Sequence, residues 1–165
     1  MIKLIVLDVD GTMTNGNITY DAQGNELKTF NVKDGLAIAS WTKKLNLKVA
    51  IITGRKSSIV EKRAKELNIQ YLYQNVHNKD EVLNDILIQE NLTLKNVSAI
   101  GDDLNDYKML KKVGLSFAPA DAVDEIKNIV NIVCEQKGGE GAVRYMIEYI
   151  LKYNNQDGEL LNLWL

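Results

Sequence analysis

The sequence predicts an α/β fold in which a doubly wound, mainly parallel sheet is flanked by helices. Apolar runs of strand length alternate along the whole chain with segments whose apolar residues recur at helical spacing. The strand-like runs are apolar throughout, as expected of strands that are covered on both faces. A length of 165 residues suits one domain, residues 1–165, with a sizeable core.

The first half of the chain predicts two strands, a small hairpin and two helices. The first strand, "LIVLDVD", is followed by a β-hairpin insertion at about residues 17–32, with turn residues at 21–25. A helix, the second strand and another helix follow in "DGLAIASWTKKLN", "LKVAIITG" and "RKSSIVEKRAKELN". The hairpin and one helix are all that separate the first two strands, so we expect no large cap domain.

The second half continues the alternation. Four more strands are predicted in "QYLYQ", "VSAIGDD", "LSFAPA" and "VNIVCE". Helices are predicted in "KDEVLNDILIQEN", "DYKMLKKV" and "GAVRYMIEYILKY". The C-terminal tail, about residues 154–165, is polar and then apolar, and we expect its apolar side chains to dock on a neighbouring subunit.

The composition excludes several functional classes. The chain is 45% hydrophobic and 25% charged, and its net charge of −2 offers no basic surface for nucleic acid or an anionic membrane. No apolar run approaches a membrane span, and the N-terminus enters a strand without the apolar region of a signal peptide. The single Cys134 cannot form an internal disulfide, so we expect a reduced, cytoplasmic setting.

Acidic residues follow two of the predicted strands, at the sheet edge where ligands bind in such folds. Asp8 and Asp10 lie two residues apart, so both carboxylates face one spot, where like charges need a cation or a proton between them. Asp102, Asp103 and Asp106 add acids after the fourth strand, although the start of a helix also favours such residues. This oxygen-rich cluster, poor in histidine, predicts Mg²⁺.

Further polar residues are expected at the same edge. Thr53 and Gly54 form the turn after the second strand, where exposed backbone N–H groups would seat a phosphate. Arg55 pairs with a local acid or binds an anion, and the sequence leaves both open. Lys79 opens a helix, where a cation opposes the macrodipole, which sets it apart from an ordinary surface lysine. His77, the only histidine, is interpreted as a loop residue.

Together these residue types match the needs of phosphoryl transfer. A carboxylate that attacks phosphorus forms an aspartyl-phosphate, and a second carboxylate protonates the leaving oxygen. A divalent cation and a lysine neutralise charge on the equatorial oxygens. The sequence therefore predicts a Mg²⁺-dependent enzyme of phosphoryl transfer.

Four motifs resemble, in order, those of the haloacid dehalogenase-like phosphatases, whose sheet is Rossmann-like. They are "LDVDGTMT", "IITGR", Lys79 and "GDDLND". The resemblance implies that Asp8 is the nucleophile, Asp10 is the general acid and base, and Thr53 and Lys79 hold the phosphoryl group. It also implies that Mg²⁺ is bound by Asp8, the backbone carbonyl of Asp10, and Asp102, with Asp103 and Asp106 orienting the ligands and Lys79.

Two further segments, "FNVKDGLAI" and "KGGEGAVRYMIEYIL", resemble the capless 3-deoxy-D-manno-octulosonate 8-phosphate (KDO 8-P) phosphatases. The resemblance implies hydrolysis of that sugar phosphate to KDO and phosphate in lipopolysaccharide precursor synthesis. It also implies a homotetramer that is assembled through the hairpins, with neighbouring subunits covering the active sites. The substrate contacts implied are Gly11, Lys33, Gly35, Gly54 and Arg55, with Lys33 at a position where arginine is the more common residue.

Three alternatives stay open to different degrees. A sialic acid or KDN 9-phosphate phosphatase of the same subfamily would carry the same motifs. A non-catalytic domain of this family, kept for oligomerisation or regulation, would usually have lost Asp10 or Lys79, and both are present. A phospho-accepting receiver domain needs its acceptor aspartate after the third strand, where "QYLYQN" has none.

Overall fold

Six parallel strands form the central sheet of the structure, a computed structural model that describes residues 1–165. The strand order is β5–β4–β1–β6–β7–β8, and a separate antiparallel pair, β2–β3, forms the hairpin. The bounds are β1 Leu4–Leu7, β2 Thr19–Tyr20, β3 Glu26–Leu27, β4 Lys48–Ile52, β5 Tyr71–Tyr73, β6 Val97–Ile100, β7 Leu115–Ala118 and β8 Ile132–Val133. The predicted α/β class, the hairpin and all six sheet strands are confirmed.

Seven α-helices cover the two faces of this sheet. They are α1 Val32–Ala39, α2 Ser58–Glu66, α3 Lys79–Glu90, α4 Tyr107–Leu110, α5 Asp124–Lys127, α6 Ala142–Tyr153 and α7 Glu159–Asn162. Side chains at N-caps start two of them. Asn31 accepts from the N–H of Lys33 at 2.8 Å, and Ser57 accepts from the N–H of Ile59 at 3.2 Å. The sequence did not predict α5 and α7.

The central strand β1 explains why the sheet has two cores. All four of its residues are fully buried, and alternate side chains point to opposite faces. Ile5 and Leu7 join the core beneath α1, α2 and α6, whereas Leu4 and Val6 join the core beneath α3, α4 and α5. Because β1 pairs with β4 on one side and β6 on the other, the ends of these three strands meet at one edge.

The C-terminal tail packs against its own chain. The Trp164 indole N–H donates to the Ser40 hydroxyl at 3.0 Å, and the Lys44 ammonium lies 4.0 Å from the centre of the Trp164 ring. Leu160 is buried as part of the core beneath α1, α2 and α6, whereas Leu161 and Leu165 remain exposed. The expected docking on a neighbouring subunit therefore concerns, at most, the part of the tail that stays exposed. No helix in the structure has the length and apolar character that crossing a membrane requires.

Candidate active site

The end of β1 places Asp8 inside the protein, with 4% of the residue exposed. The chain then turns sharply, because the N–H groups of Thr12, Met13 and Thr14 all point at the carbonyl of Val9, at 3.2, 2.9 and 3.0 Å. This turn brings Asp10 and Gly11 to the carboxyl edge of the sheet.

Gly11 is required where the turn meets Asp102. Its φ is +99°, and a Cβ at this position would lie 2.0 Å from Oδ2 of Asp102. Only a residue without a side chain allows this backbone conformation and this close approach. The loop after β6 therefore lies directly against the loop after β1.

Lys79 joins these two loops from the first residue of α3. It is 1% exposed, and its Nζ lies 2.6 Å from Oδ1 of Asp8 and 2.6 Å from Oδ1 of Asp106. Burial lowers the pKa of Lys79, but the carboxylates of Asp8 and Asp106 outweigh burial and raise it above its usual value. The cation that opposes the helix dipole is thus stabilised by two acids.

Asp106 holds the loop after β6 as well as Lys79. It is completely buried, and its Oδ2 accepts from the backbone N–H of Asp102 at 3.1 Å. Asp103 is exposed and caps the following turn, because its Oδ1 accepts from the N–H of Leu104 at 2.7 Å. Asp106 therefore lies where an orienting residue for Asp102 and Lys79 is expected.

The acids of the site repel one another. Burial first, and then the charge of Asp106, raise the pKa of Asp8 well above its ordinary value, against the lowering effect of Lys79. The same two causes raise the pKa of Asp102 to about 6. Carboxylate oxygens of Asp8, Asp102 and Asp106 all lie within 4.8 Å of one another. Both oxygens of Asp106 already accept hydrogen bonds, Oδ1 from Lys79 and Oδ2 from the N–H of Asp102, whereas Asp8 binds Lys79 through Oδ1 alone. Asp8 and Asp102 are therefore the acids left to hold a hard divalent cation, and the donor set fits Mg²⁺.

A pocket of about 310 Å³ opens in front of these residues. Its lining has no hydrophobic residue and consists of Asp8, Asp10, Thr53, Gly54, Arg55, Asp102, Asp103 and Asn105. Thr53 is 2% exposed and is fixed by its backbone, which bonds to Tyr73 and Val76. Another cavity, of about 390 Å³, lies between α6 and the tail, is lined mainly by apolar residues and contains none of the predicted site residues.

Three of the predicted substrate contacts, Gly11, Lys33 and Gly35, are not among the residues that line this pocket, although Gly11 directly follows Asp10 in the chain. Lys33 is exposed in the first turn of α1. Gly35 is buried against Arg63, whose Nη2 would lie 2.3 Å from a Cβ at that position. Asp34, between them, faces inward, and its Oδ1 accepts from the N–H of Arg144 at 2.8 Å. Within one chain, the Lys33–Gly35 segment thus packs α1 against α6.

The sequence reasoning missed three polar residues near the pocket. Lys28, just after β3, contacts the carboxylate of Asp10, and Glu26 binds Arg55 with 2.6 Å between Oε2 and Nη2. Alternation in "NELKTF" puts Glu26 and Lys28 on the same face of a strand, but it does not show which surface that face meets. Asn105 lines the pocket from within the "GDDLND" motif.

Comparison with known proteins identifies the family to which the chain belongs. Residues 71–147 match the family model of a haloacid dehalogenase-like hydrolase. The chain is 43% identical over 150 residues to the 3-deoxy-D-manno-octulosonate 8-phosphate phosphatase KdsC of Salmonella typhi, covering 91% of this chain and 79% of that one. This chain belongs to the haloacid dehalogenase-like hydrolases.

Solved structures in this family agree over nearly the whole chain. The 3-deoxy-D-manno-octulosonate 8-phosphate phosphatase of Moraxella catarrhalis, in complex with a magnesium ion, a phosphate ion and a KDO molecule, superposes with a TM-score of 0.92 at 36% identity. That match covers 98% of this chain and 92% of the other. The enzyme of the same name from Yersinia pestis gives a TM-score of 0.90 at 40% identity, covering 94% and 83%.

Proposed function

We propose that this chain is a Mg²⁺-dependent phosphomonoesterase that hydrolyses KDO 8-P to KDO and phosphate, a step of lipopolysaccharide precursor synthesis. The observation that carries the proposal is the convergence of Asp8, Asp10 and Thr53 on one polar pocket, with the buried Lys79 bound to Asp8 at 2.6 Å. The relatives that match more than nine-tenths of this chain are named as phosphatases of this sugar phosphate, which supports the choice of substrate.

Each step of the reaction is assigned to a residue of the chain. A carboxylate oxygen of Asp8 attacks phosphorus, and the bond from phosphorus to the sugar oxygen breaks as that oxygen takes a proton from Asp10. A water molecule then attacks the aspartyl-phosphate, gives its proton to Asp10 and releases phosphate, which regenerates Asp8. Thr53 and Lys79 bind the phosphoryl oxygens, and the ammonium of Lys79 neutralises part of their charge.

Asp8, Asp102 and the backbone carbonyl of Asp10 would hold Mg²⁺, which supplies positive charge to the phosphoryl oxygens when it is bound. Asp106 and Asp103 would orient these ligands from behind. The buried position of Asp106 and its hydrogen bond to the N–H of Asp102 support this role more directly than the exposed position of Asp103.

The sugar would contact the rim of the pocket. Gly54 and Gly11 offer backbone to the phosphate end, and Arg55 offers a cation to the acidic sugar. Lys33 is exposed and lies outside the pocket of its own chain, so its contact would be made in the active site of a neighbouring subunit. Gly35 is buried and would act indirectly, by letting α1 pack closely against Arg63. We propose a homotetramer in which neighbours cover the open pockets, which would also exclude water from the reaction.

Phosphate release from a panel of sugar phosphates tests this function. We expect release with Mg²⁺, none with EDTA, and a higher kcat/KM for KDO 8-P than for the nine-carbon sialic acid and KDN 9-phosphates. Equal kcat/KM values for eight- and nine-carbon substrates would remove the preference for KDO 8-P. No release from any sugar phosphate would indicate a non-catalytic family member, although Asp10 and Lys79 are both present.

A further inference from the structure

Lys28 reaches from the hairpin into the active site. Its side chain is 2% exposed, and its Nζ contacts Oδ1 of Asp10 and lies 2.8 Å from Oε1 of Glu26. Glu26 in turn binds Arg55, so four alternating charges connect the turn after β1, the hairpin and the turn after β4. The strands β2 and β3 pair with each other and not with the central sheet. These ion pairs therefore couple the hairpin to the site.

Stability alone gives a poor account of this arrangement. Taking an ammonium and two carboxylates out of water costs about as much free energy as their mutual attraction returns. The contact has a clearer consequence for Asp10, because Lys28 is the only group of the chain that hydrogen-bonds to this carboxylate. Without Lys28, nothing in the chain would set the direction of the Asp10 side chain.

We propose that Lys28 is a positioning residue for Asp10. The ammonium occupies Oδ1 and leaves Oδ2 to carry the proton, so that the carboxyl group is aimed at the leaving oxygen. Glu26 keeps the ammonium in place from the other side. This inference rests on the proposed function, in which Asp10 donates a proton to the sugar oxygen as the bond to phosphorus breaks.

Substrates whose leaving groups differ in basicity distinguish a residue that positions Asp10 from a residue that only stabilises the fold. The Lys28→Met variant keeps the length and apolar stem of the side chain but removes the ammonium. KDO 8-P has an alkoxide leaving group that needs a proton, whereas 4-nitrophenyl phosphate releases a stable anion. The ratio kcat/KM reports the step in which the leaving group departs.

We expect Lys28→Met to lower kcat/KM for KDO 8-P by about 10- to 100-fold and for 4-nitrophenyl phosphate by less than about threefold. Asp10→Asn should show the same contrast with a larger loss on KDO 8-P. Lys28→Arg, which restores a cation between Asp10 and Glu26, should recover most of the loss. Loss of a residue that only stabilises the fold would lower kcat/KM for both substrates by the same factor. Restoring a cation with arginine would then leave the ratio of the two kcat/KM values unchanged.

Lys48→Met is the matched control. Lys48 also pairs with a glutamate, since its Nζ lies 3.6 Å from Oε1 of Glu90, but it begins β4 at the opposite edge of the sheet. Both substrates should keep their wild-type kcat/KM values in this variant. If Lys28→Met does not fold, Lys28→Gln takes its place in the same comparison.

Two results overturn the inference alone: equal losses on both substrates, or no loss on either, in a wild-type background that is active. A wild-type protein that hydrolyses neither substrate refutes the proposed function and this inference together. The activity of the wild-type protein thus distinguishes the two failures.

Discussion

Lys79 is unfavourable for its helix and well placed for the site. A cation at the first residue of α3 opposes the macrodipole, and complete burial adds a desolvation cost. Asp8 and Asp106 compensate both costs, each with an oxygen 2.6 Å from Nζ. This explains how the fold tolerates a buried lysine, but it leaves three acids around one cation once Asp102 is included.

Asp8→Asn separates activity from stability at this cluster. An amide cannot attack phosphorus, so kcat should fall by more than about 10³-fold. Because the ionised form of Asp8 is disfavoured in the fold, a neutral side chain should raise the thermal unfolding midpoint of the metal-free protein at pH 7. Phosphate release and calorimetry in EDTA check the two effects. A variant with near-wild-type turnover would contradict the assignment of the nucleophile.

Mg²⁺ affinity should depend on pH through Asp102. Its pKa is raised from 3.8 to about 6, so in the metal-free protein this carboxyl group is protonated below about pH 6, and Mg²⁺ must displace the proton. The Kd for Mg²⁺ should therefore rise about fivefold between pH 6 and pH 5 through Asp102 alone, and Asp8 adds to this slope. Titration calorimetry at several pH values measures it, and a Kd that stays flat from pH 7 to pH 5 would contradict it.

The same pKa shift has a definite sign for stability. Since the folded state holds the Asp102 proton up to about pH 6 and the unfolded state releases it near 3.8, the metal-free protein should lose stability as pH rises through this window. Saturating Mg²⁺ should reverse the trend, because it binds the ionised carboxylates of the folded state. Denaturant unfolding with EDTA and with Mg²⁺ gives the comparison.

The sequence allowed some of these residues to be predicted and not others. Three strands with clear apolar runs are each followed within three residues by a site residue, so the topology alone brings these residues to one edge. They are Asp8 and Asp10 after β1, Thr53 after β4 and Asp102 after β6. Lys28 lies on a hairpin outside the sheet, and no strand order determines where it points. Its position depends on how the hairpin folds over the site, which is a tertiary property that the local pattern does not contain.

The glycine-rich segment between β8 and α6 supports the turn after β1. A Cβ on Gly138 would lie 1.9 Å from the carbonyl oxygen of Gly11, and the N–H of Gly139 donates to the carbonyl of Thr12 at 3.0 Å. The two loops are in backbone contact, with no room for a side chain between them. The segment "KGGEG" is thus a support for the loop that carries Asp10.

Gly138→Ala should therefore damage the site by displacing this loop. Overlap of this kind costs about 1–3 kcal/mol of unfolding free energy, and kcat should fall because Asp8 and Asp10 move with the turn. Denaturant unfolding and phosphate release measure the two effects. Glu140→Ala, an exposed residue in the same segment, is the control and should leave both values unchanged. A Gly138→Ala variant with wild-type stability and kcat would rule out the supporting role.

The elements that the sequence failed to predict are all short. Helices α5 and α7 have four residues each, about one turn, so they carry no repeating apolar pattern. The predicted helix after the hairpin ends as a π-helical turn at Ser40–Lys44, where the buried Trp41 donates its indole N–H to the carbonyl of Lys48 at 3.0 Å. Tertiary contacts, and not local propensity, determine these segments.

At the scale of the whole molecule, the pocket lies at the carboxyl edge of the sheet without a cap domain, and apolar side chains are exposed nearby. On the hairpin these are Ile18, Tyr20 and Leu27, and on α1 they are Val32 and Leu36, with exposed fractions from 41% to 79%. Several exposed apolar side chains on one hairpin and the helix that follows it are typical of an interface. The hairpin thus has a charged face, Glu26 and Lys28, turned to the site and an apolar residue, Leu27, turned away.

Leu27→Glu tests whether this surface assembles the enzyme. Leu27 is 53% exposed, so within one chain the change should alter the free energy of unfolding by no more than about 0.5 kcal/mol. If the hairpins form a tetramer whose neighbours cover the pockets, the glutamate would be buried in the interface and should dissociate the tetramer. The mass of the protein in solution and kcat/KM for KDO 8-P should then both fall. Light scattering and phosphate release measure both. Ile88→Glu, which places the same charge on an 81% exposed isoleucine of α3, should change neither. A wild-type protein that is a fully active monomer would contradict the assembly, and it would mean that the open pocket, with Lys28 and Arg55 at its rim, is sufficient for turnover.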